Sequence, residues 1–145
     1  MTPLDRRDFV KAGTGTALGM SLSPAALLGR ERGKAADRLR LGFIGMGGRG
    51  SWLLGLAIRR DDTEIKAVCD IVPEKSQRAA EAVTEVGRAE PRQFTAGEED
   101  YVNLLERDDI DAVIIATPWL WHTPMAIAAM ERGKAVGVEV PAATT

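Results

Sequence analysis

Five short apolar runs, separated by helix-forming stretches, constrain the fold of this chain more than any other feature of its sequence. Leu39–Ile44 reads as a first strand, 65–69 as a second, 92–95 as a weak third, 111–117 as a fourth and 135–140 as a fifth. The fourth is the clearest. Ala112, Val113, Ile114, Ile115 and Ala116 follow one another without a polar break, as in a parallel strand covered by helices on both faces. Between the runs, Trp52, Leu53, Leu56 and Ala57 recur at helical spacing over 51–60. Ala79, Val83 and Val86 share one face of a second helix, opened by Pro73 and stopped by Gly87. Tyr101, Leu104 and Leu105 mark a third, while Thr123 and Pro124 open a fourth through Met125, Ile127 and Met130, ended by Gly133. Parallel strands need crossovers, and right-handed crossovers place helices on both faces of the sheet. The expected fold is therefore α/β, a doubly wound and mostly parallel sheet.

A chain of 145 residues suits one ordinary domain and is short for an enzyme with separate cofactor and substrate lobes. Its 19 basic and 21 acidic side chains are spread without long same-sign blocks, which speaks against nucleic acid or an anionic membrane surface as partner. A small molecule is the expected ligand. Cys69 is the only cysteine and His122 the only histidine, so an internal disulfide and a cysteine zinc cluster are excluded, and no structural metal site is expected.

Residues 1–30 differ from the rest. Arg6 and Arg7, then Phe9 and Lys11, precede a mildly apolar Gly/Ala/Ser-rich run broken by Gly13, Gly15, Gly19 and Pro24. The pattern matches a twin-arginine export signal, with Asp5 in place of the usual Ser or Thr before the arginines. A stable membrane span would need about twenty strongly apolar residues, more than this run supplies. The expectation is an exported, periplasmic protein whose domain occupies 38–145. The twin-arginine route carries proteins already folded, which suits one loaded with a cofactor before export.

The turn Gly45-Met46-Gly47-Gly48-Arg49-Gly50 stands between the first strand and the first helix. Three glycines alone are weak evidence, but strand before, helix after and an acid at the end of the next strand make the dinucleotide fingerprint of a Rossmann-type sheet. Gly45 would allow the tight turn, Gly47 a close approach of backbone to a diphosphate, and Gly50 close packing of helix on strand. Asp70, twenty-five residues after Gly45, would accept the adenosine ribose hydroxyls and repel a 2′-phosphate, favouring NAD(H) over NADP(H). The plainer role for Asp70 is to cap the turn into the helix at Pro73.

A further group, Thr117-Pro118-Trp119-Leu120-Trp121-His122, falls at the carboxyl end of the fourth strand, the edge where open α/β sheets bind ligands. Trp119 and Trp121 offer flat apolar faces for a nicotinamide, an adenine or a sugar; as single residues they serve equally as core. His122 is the one candidate catalytic residue, as acid/base or donor to a hydroxyl, or else a ligand of the loop backbone.

Taken in order, Leu41-Gly42-Phe43-Ile44-Gly45-Met46-Gly47, Val68-Cys69-Asp70, Ala116-Thr117-Pro118, His122 and Gly133-Lys134-Ala135-Val136-Gly137-Val138-Glu139-Val140-Pro141 resemble the amino-terminal Rossmann domain of the Gfo/Idh/MocA family over residues 39–141. The resemblance implies NAD as cofactor, held by residues 45–50 with Asp70, Thr117, Pro118, Trp119, Trp121, His122 and Glu139. It also implies a carbohydrate or cyclitol substrate bound largely by a carboxyl-terminal α/β domain, and it leaves a homo-oligomer open.

One departure is informative. Many dehydrogenases of the family have Glu-Lys-Pro after the fifth strand, where this chain has Glu139-Val140-Pro141, and Val140 cannot ionise. With the export signal and the Trp-Leu-Trp-His stretch, the chain resembles the exported branch that includes glycoside hydrolase family 109, the α-N-acetylgalactosaminidases. That resemblance implies hydrolysis by oxidation at C3, elimination, addition of water and reduction, with NAD retained throughout. The expectation is the cofactor half of such an enzyme, cut short before the substrate domain and inactive by itself. A sugar dehydrogenase and a non-catalytic nucleotide-binding module are the alternatives.

Overall fold

The computed structural model describes residues 38–143; the segment read as a twin-arginine export signal lies outside them. Within that range the order is β1 (Leu39–Ile44), α1 (Gly48–Ala57), β2 (Thr63–Cys69), α2 (Pro73–Glu85), β3 (Arg92–Phe94), α3 (Asp100–Leu105), β4 (Ala112–Ile115), a 3-10 turn (Trp119–Trp121), α4 (His122–Glu131) and β5 (Ala135–Val138). The strands are parallel and lie in the order β3-β2-β1-β4-β5. The chain starts in the middle, builds outward to β3, then crosses back to add β4 and β5. Strand order thus reverses between β1 and β4, and the crevice that a Rossmann sheet uses for its ligand opens there.

Helices cover both faces because successive strand residues point to opposite sides. Leu41, Phe43, Ile65 and Val68 pack with Leu54 and Ala57 of α1 and with Ala79 and Val83 of α2. Ile44, Ala67, Cys69, Val113 and Ile115 pack on the other side with Leu104 and Leu105 of α3 and Met125 and Ala129 of α4. Ile65 and Val68 share a face despite their odd spacing because the β1/β2 register shifts there, Leu41 pairing with Ile65 and Gly42 with Ala67. The extra residue, Lys66, forms a bulge.

At the amino end of the sheet, Arg40 grips Asp111. Its guanidinium reaches the two carboxylate oxygens at 3.0 and 2.6 Å, and its own backbone N–H donates at 3.0 Å. These bonds from Arg40 hold the Asp111 carboxyl down at about 2, against the opposing effect of partial burial. This lock joins β1 to the start of β4, far from the crevice.

Several boundaries differ from the sequence expectations. The first helix starts at Gly48 rather than 51, since the glycine loop runs directly into it. Its buried stripe is Gly50, Leu54 and Ala57, leaving Trp52 and Leu56 exposed. Val86, expected on the buried face of α2, is the exposed residue at the helix end. Strands β4 and β5 end at Ile115 and Val138, where the chain leaves the sheet to form the loops around the crevice. Among the described residues no helix is long and apolar enough to cross a membrane.

Candidate functional site

The glycine loop is pressed into the sheet at two points. Gly45 has φ +89°, and a Cβ there would sit 2.7 Å from the carbonyl oxygen of Ala116, at the end of β4. A Cβ on Gly50 would lie 1.8 Å from the Gly45 carbonyl oxygen. Only glycine lets α1 start this close to β1. Gly47 and Gly48 are different: a Cβ on either would meet nothing within 4 Å. Their outer surface is bare backbone facing open space.

Gly47 is the N-cap of α1, with no side chain capping it, and the first helical bond runs from the Ser51 N–H to the Gly47 carbonyl at 2.9 Å. Amides ahead of that bond have no acceptor within the helix and carry the positive end of its dipole. A bare loop leading into a helix N-terminus has the shape and charge that a diphosphate requires. The residues present therefore fit a dinucleotide.

Asp70 lies just beyond β2 and is 9% exposed. One carboxylate oxygen accepts the Met46 N–H at 2.7 Å and the other accepts the Val72 N–H at 2.9 Å. The acid therefore both turns the chain into α2 and holds the glycine loop. Each oxygen keeps lone-pair capacity for a further donor such as a ribose hydroxyl. Beside it, burial first, and then the nearby carboxylates of Asp100 and Asp70, push the Cys69 thiol up to about 12.

Arg49 and Glu139 meet across the crevice. Nε of Arg49 donates to the Glu139 carboxylate at 2.7 Å, while the guanidinium lies 4.5 Å from the centroid of the Trp52 ring. Glu139 is held in turn by its backbone N–H, which donates to the Ile115 carbonyl at 3.0 Å.

Beyond β4 the two tryptophans part company. Trp119 is 62% exposed, whereas Trp121 turns inward and meets Tyr101 edge-on, with ring centroids 6.3 Å apart. Pro118 precedes the 3-10 turn that separates them. His122 is 1% exposed, with Nε2 2.8 Å from the Thr117 carbonyl oxygen and Nδ1 2.8 Å from that of Pro141. In this arrangement the imidazole joins the loop after β4 to the segment after β5, the backbone contact that the sequence offered beside an acid/base role. Its next neighbour Thr123 adds a bond from its hydroxyl to the Ala142 carbonyl at 3.0 Å.

The loop also borders a cavity of about 350 Å³ between α1 and α2, lined by Met46, Gly47, Gly48 and Ser51 and by Lys75 and Arg78 of α2. Residues 39–145 match the family model described as oxidoreductase family, NAD-binding Rossmann fold. The chain belongs to the Gfo/Idh/MocA family. It carries that family's NAD-binding Rossmann domain.

A relative from Saccharopolyspora erythraea, named glycosyl hydrolase family 109 protein, is 51% identical over 112 residues, covering 77% of this chain and 24% of its own length. Among solved structures, the myo-inositol dehydrogenase of Lactobacillus casei in complex with NAD(H) and myo-inositol superposes with TM-score 0.65 at 26% identity, over 74% of this chain and 30% of that one. A 3-ketoreductase from Actinomadura kijaniata, complexed with NADP and TDP-benzene, gives TM-score 0.63 at 27% identity, over 74% of this chain and 30% of that one. The chain thus spans about a quarter to a third of the length of these relatives.

Sequence reasoning did not find Trp52 beneath Arg49, the Lys75 and Arg78 lining, or the bond from Asp70 back to Met46. Helical spacing carries a signal for the α2 pair, since Lys75, Arg78 and the buried Ala79 lie three and four residues apart. The Arg49–Glu139 pair spans 90 residues and has no local signal.

Proposed function

We propose that this Gfo/Idh/MocA domain is the NAD-holding part of an exported, periplasmic enzyme that acts on sugars and hydrolyses a glycoside while retaining its cofactor. The bare Gly47–Gly48 backbone at the start of α1, with Asp70 beside it, is the single observation that carries the reading. The early amides of α1 hold the diphosphate and Asp70 receives the ribose diol. Thr117, Pro118 and the exposed face of Trp119 border the path toward β5. NAD, when bound, supplies reversible hydride acceptance at a sugar carbon, the chemistry by which oxidation, elimination, hydration and reduction sum to hydrolysis.

Two features favour hydrolysis. Val140 stands exposed after β5 where many family dehydrogenases have a lysine able to assist a reacting hydroxyl. The twin-arginine segment would deliver a folded, loaded protein to a compartment with little free dinucleotide, where a cofactor regenerated at each turnover is an advantage. The glycosyl hydrolase family 109 naming of the relatives agrees.

The second reading is a sugar or cyclitol dehydrogenase, favoured by the likeness to an inositol dehydrogenase. The two are separated by assaying the polypeptide of the complete reading frame on an aryl α-N-acetylgalactosaminide. Hydrolysis predicts release of the phenol with no net rise in absorbance at the reduced-nicotinamide band. Steady accumulation of reduced cofactor with a free sugar, and no phenol release, would establish the dehydrogenase instead.

A further inference from the structure

The imidazole of His122 is enclosed, and each of its two ring nitrogens faces a carbonyl oxygen. Nε2 lies 2.8 Å from the Thr117 oxygen in the loop after β4, and Nδ1 lies 2.8 Å from the Pro141 oxygen in the segment after β5. A carbonyl oxygen accepts and never donates, so each contact needs a proton on the ring. Neutral imidazole carries one N–H and one bare lone pair; only imidazolium carries two N–H groups. With a neutral ring, one nitrogen lone pair would stand against a carbonyl oxygen at hydrogen-bond distance, and that oxygen would lose its donor. Among the described residues no other donor reaches either oxygen.

Two features oppose a charge here. The ring is buried, and it sits at the first position of α4, where the helix dipole is positive. The two carbonyl dipoles offset them, because a hydrogen bond from an ionised donor is about twice as strong as one between neutral groups. Other ionisable side chains around the ring are few. Strands β4 and β5 and the loop 116–121 carry none. Glu139, two residues before Pro141, is bound to Arg49. On α3, Asp100 holds Ala96 and Asn103, and the Tyr101 ring meets Trp121. Glu131 lies at the far end of α4. None of these is bonded to His122 among the described residues, so the two carbonyls stand where a counter-ion would.

We propose that His122 is a doubly protonated clasp, an imidazolium that ties the loop after β4 to the segment after β5 and releases one of them when it gives up a proton. One ionisable ring thereby sets two walls at the carboxyl edge of the sheet relative to each other. The bond from the Thr123 hydroxyl to the Ala142 carbonyl, 3.0 Å long, does not ionise and keeps the segment close when the clasp opens. Rising pH loosens this edge and falling pH tightens it, whatever the crevice binds.

His122 is the only histidine of the chain, so isotope labelling of histidine alone gives one set of ring resonances. The clasp predicts that at neutral pH both ring nitrogens of the folded full chain resonate in the protonated range, whereas the chain unfolded in urea shows the averaged signal of a mostly uncharged ring. Raising the pH then moves one nitrogen far downfield, to the unprotonated position, and the carbonyl carbon of Thr117 or of Pro141 shifts in the same step. One protonated and one bare nitrogen in the folded chain at neutral pH would overturn the proposal, since such a ring makes one bond only. A ring that titrates while both carbonyl signals stay fixed would overturn it too, because its charge would then hold nothing. In His122→Gln, whose amide donates to one oxygen and not to both, the carbonyl step is expected to vanish; a step that persists there belongs to another group and contradicts the clasp.

Discussion

The carboxylate of Asp70 accepts the backbone N–H of Met46 at 2.7 Å, so the residue just beyond β2 also holds the glycine loop that follows β1. Its other oxygen takes the Val72 N–H at 2.9 Å. Both amides are sheltered, and a buried donor stripped of its acceptor costs about 1–3 kcal/mol. Asp70→Ala is therefore expected to lower unfolding stability in urea by about 2–4 kcal/mol and to weaken NADH binding, while Asp70→Asn, which keeps one acceptor, loses about half as much stability. Equal stability of all three proteins would show that these bonds do not hold the loop.

Gly50 tests the close approach of α1 to β1. A methyl group would collide with the Gly45 carbonyl at 1.8 Å, and that atom is backbone, which moves only if the loop moves. Gly50→Ala is expected to cost about 2–4 kcal/mol in chemical unfolding, despite the better helix propensity of alanine. A neutral or stabilising result would mean that the helix start is free to shift.

The Arg40–Asp111 lock sets an acid-side response. Bonds from Arg40 hold the Asp111 carboxyl at about 2, below its ordinary value of 3.8. A group depressed in the folded state stabilises fully above its unfolded value and loses that contribution as pH falls through the folded one. The window is thus from near pH 4 down to about 2. Because both side chains are more than a third exposed, Asp111→Asn is expected to cost up to about 1 kcal/mol at neutral pH. The gap from the unaltered chain should close across that window in thermal unfolding, and a gap independent of pH would assign the effect to packing.

The sheet was legible because Ala112 to Ile115 form an unbroken apolar run that suits a strand buried on both faces. The start of α1 was not, since propensity argues against opening a helix with glycines, and the reason for them is the approach to Gly45 and Ala116 across the fold. Periodicity placed Val86 on the buried face of α2, but a residue at the helix end is covered only if another element reaches it. Val86 is the C-cap residue directly before Gly87, whose φ of +78° ends the helix as expected, and it stays exposed there. The two tryptophans differ for a similar reason: the 3-10 turn carries one outward and the other against Tyr101. Residues 45–50 and Asp70 are singled out by their spacing, and the structure brings them into contact through the Met46 N–H. The engagement of Asp70 with Met46, of Arg49 with Glu139 and of His122 with two carbonyls depends on which loops the topology brings together.

Gly47 offers the most direct test of the cradle, because a Cβ there meets no protein atom within 4 Å and a larger side chain would occupy the space in front of the amides. NADH is titrated calorimetrically into the unaltered chain and into Gly47→Val, whose fold stability is expected to change by no more than about 1 kcal/mol. Binding by the unaltered chain and a loss of at least about tenfold in Gly47→Val, at nearly unchanged stability, is the predicted result. Equal affinity in the two proteins would contradict it and place the diphosphate elsewhere than on the start of α1.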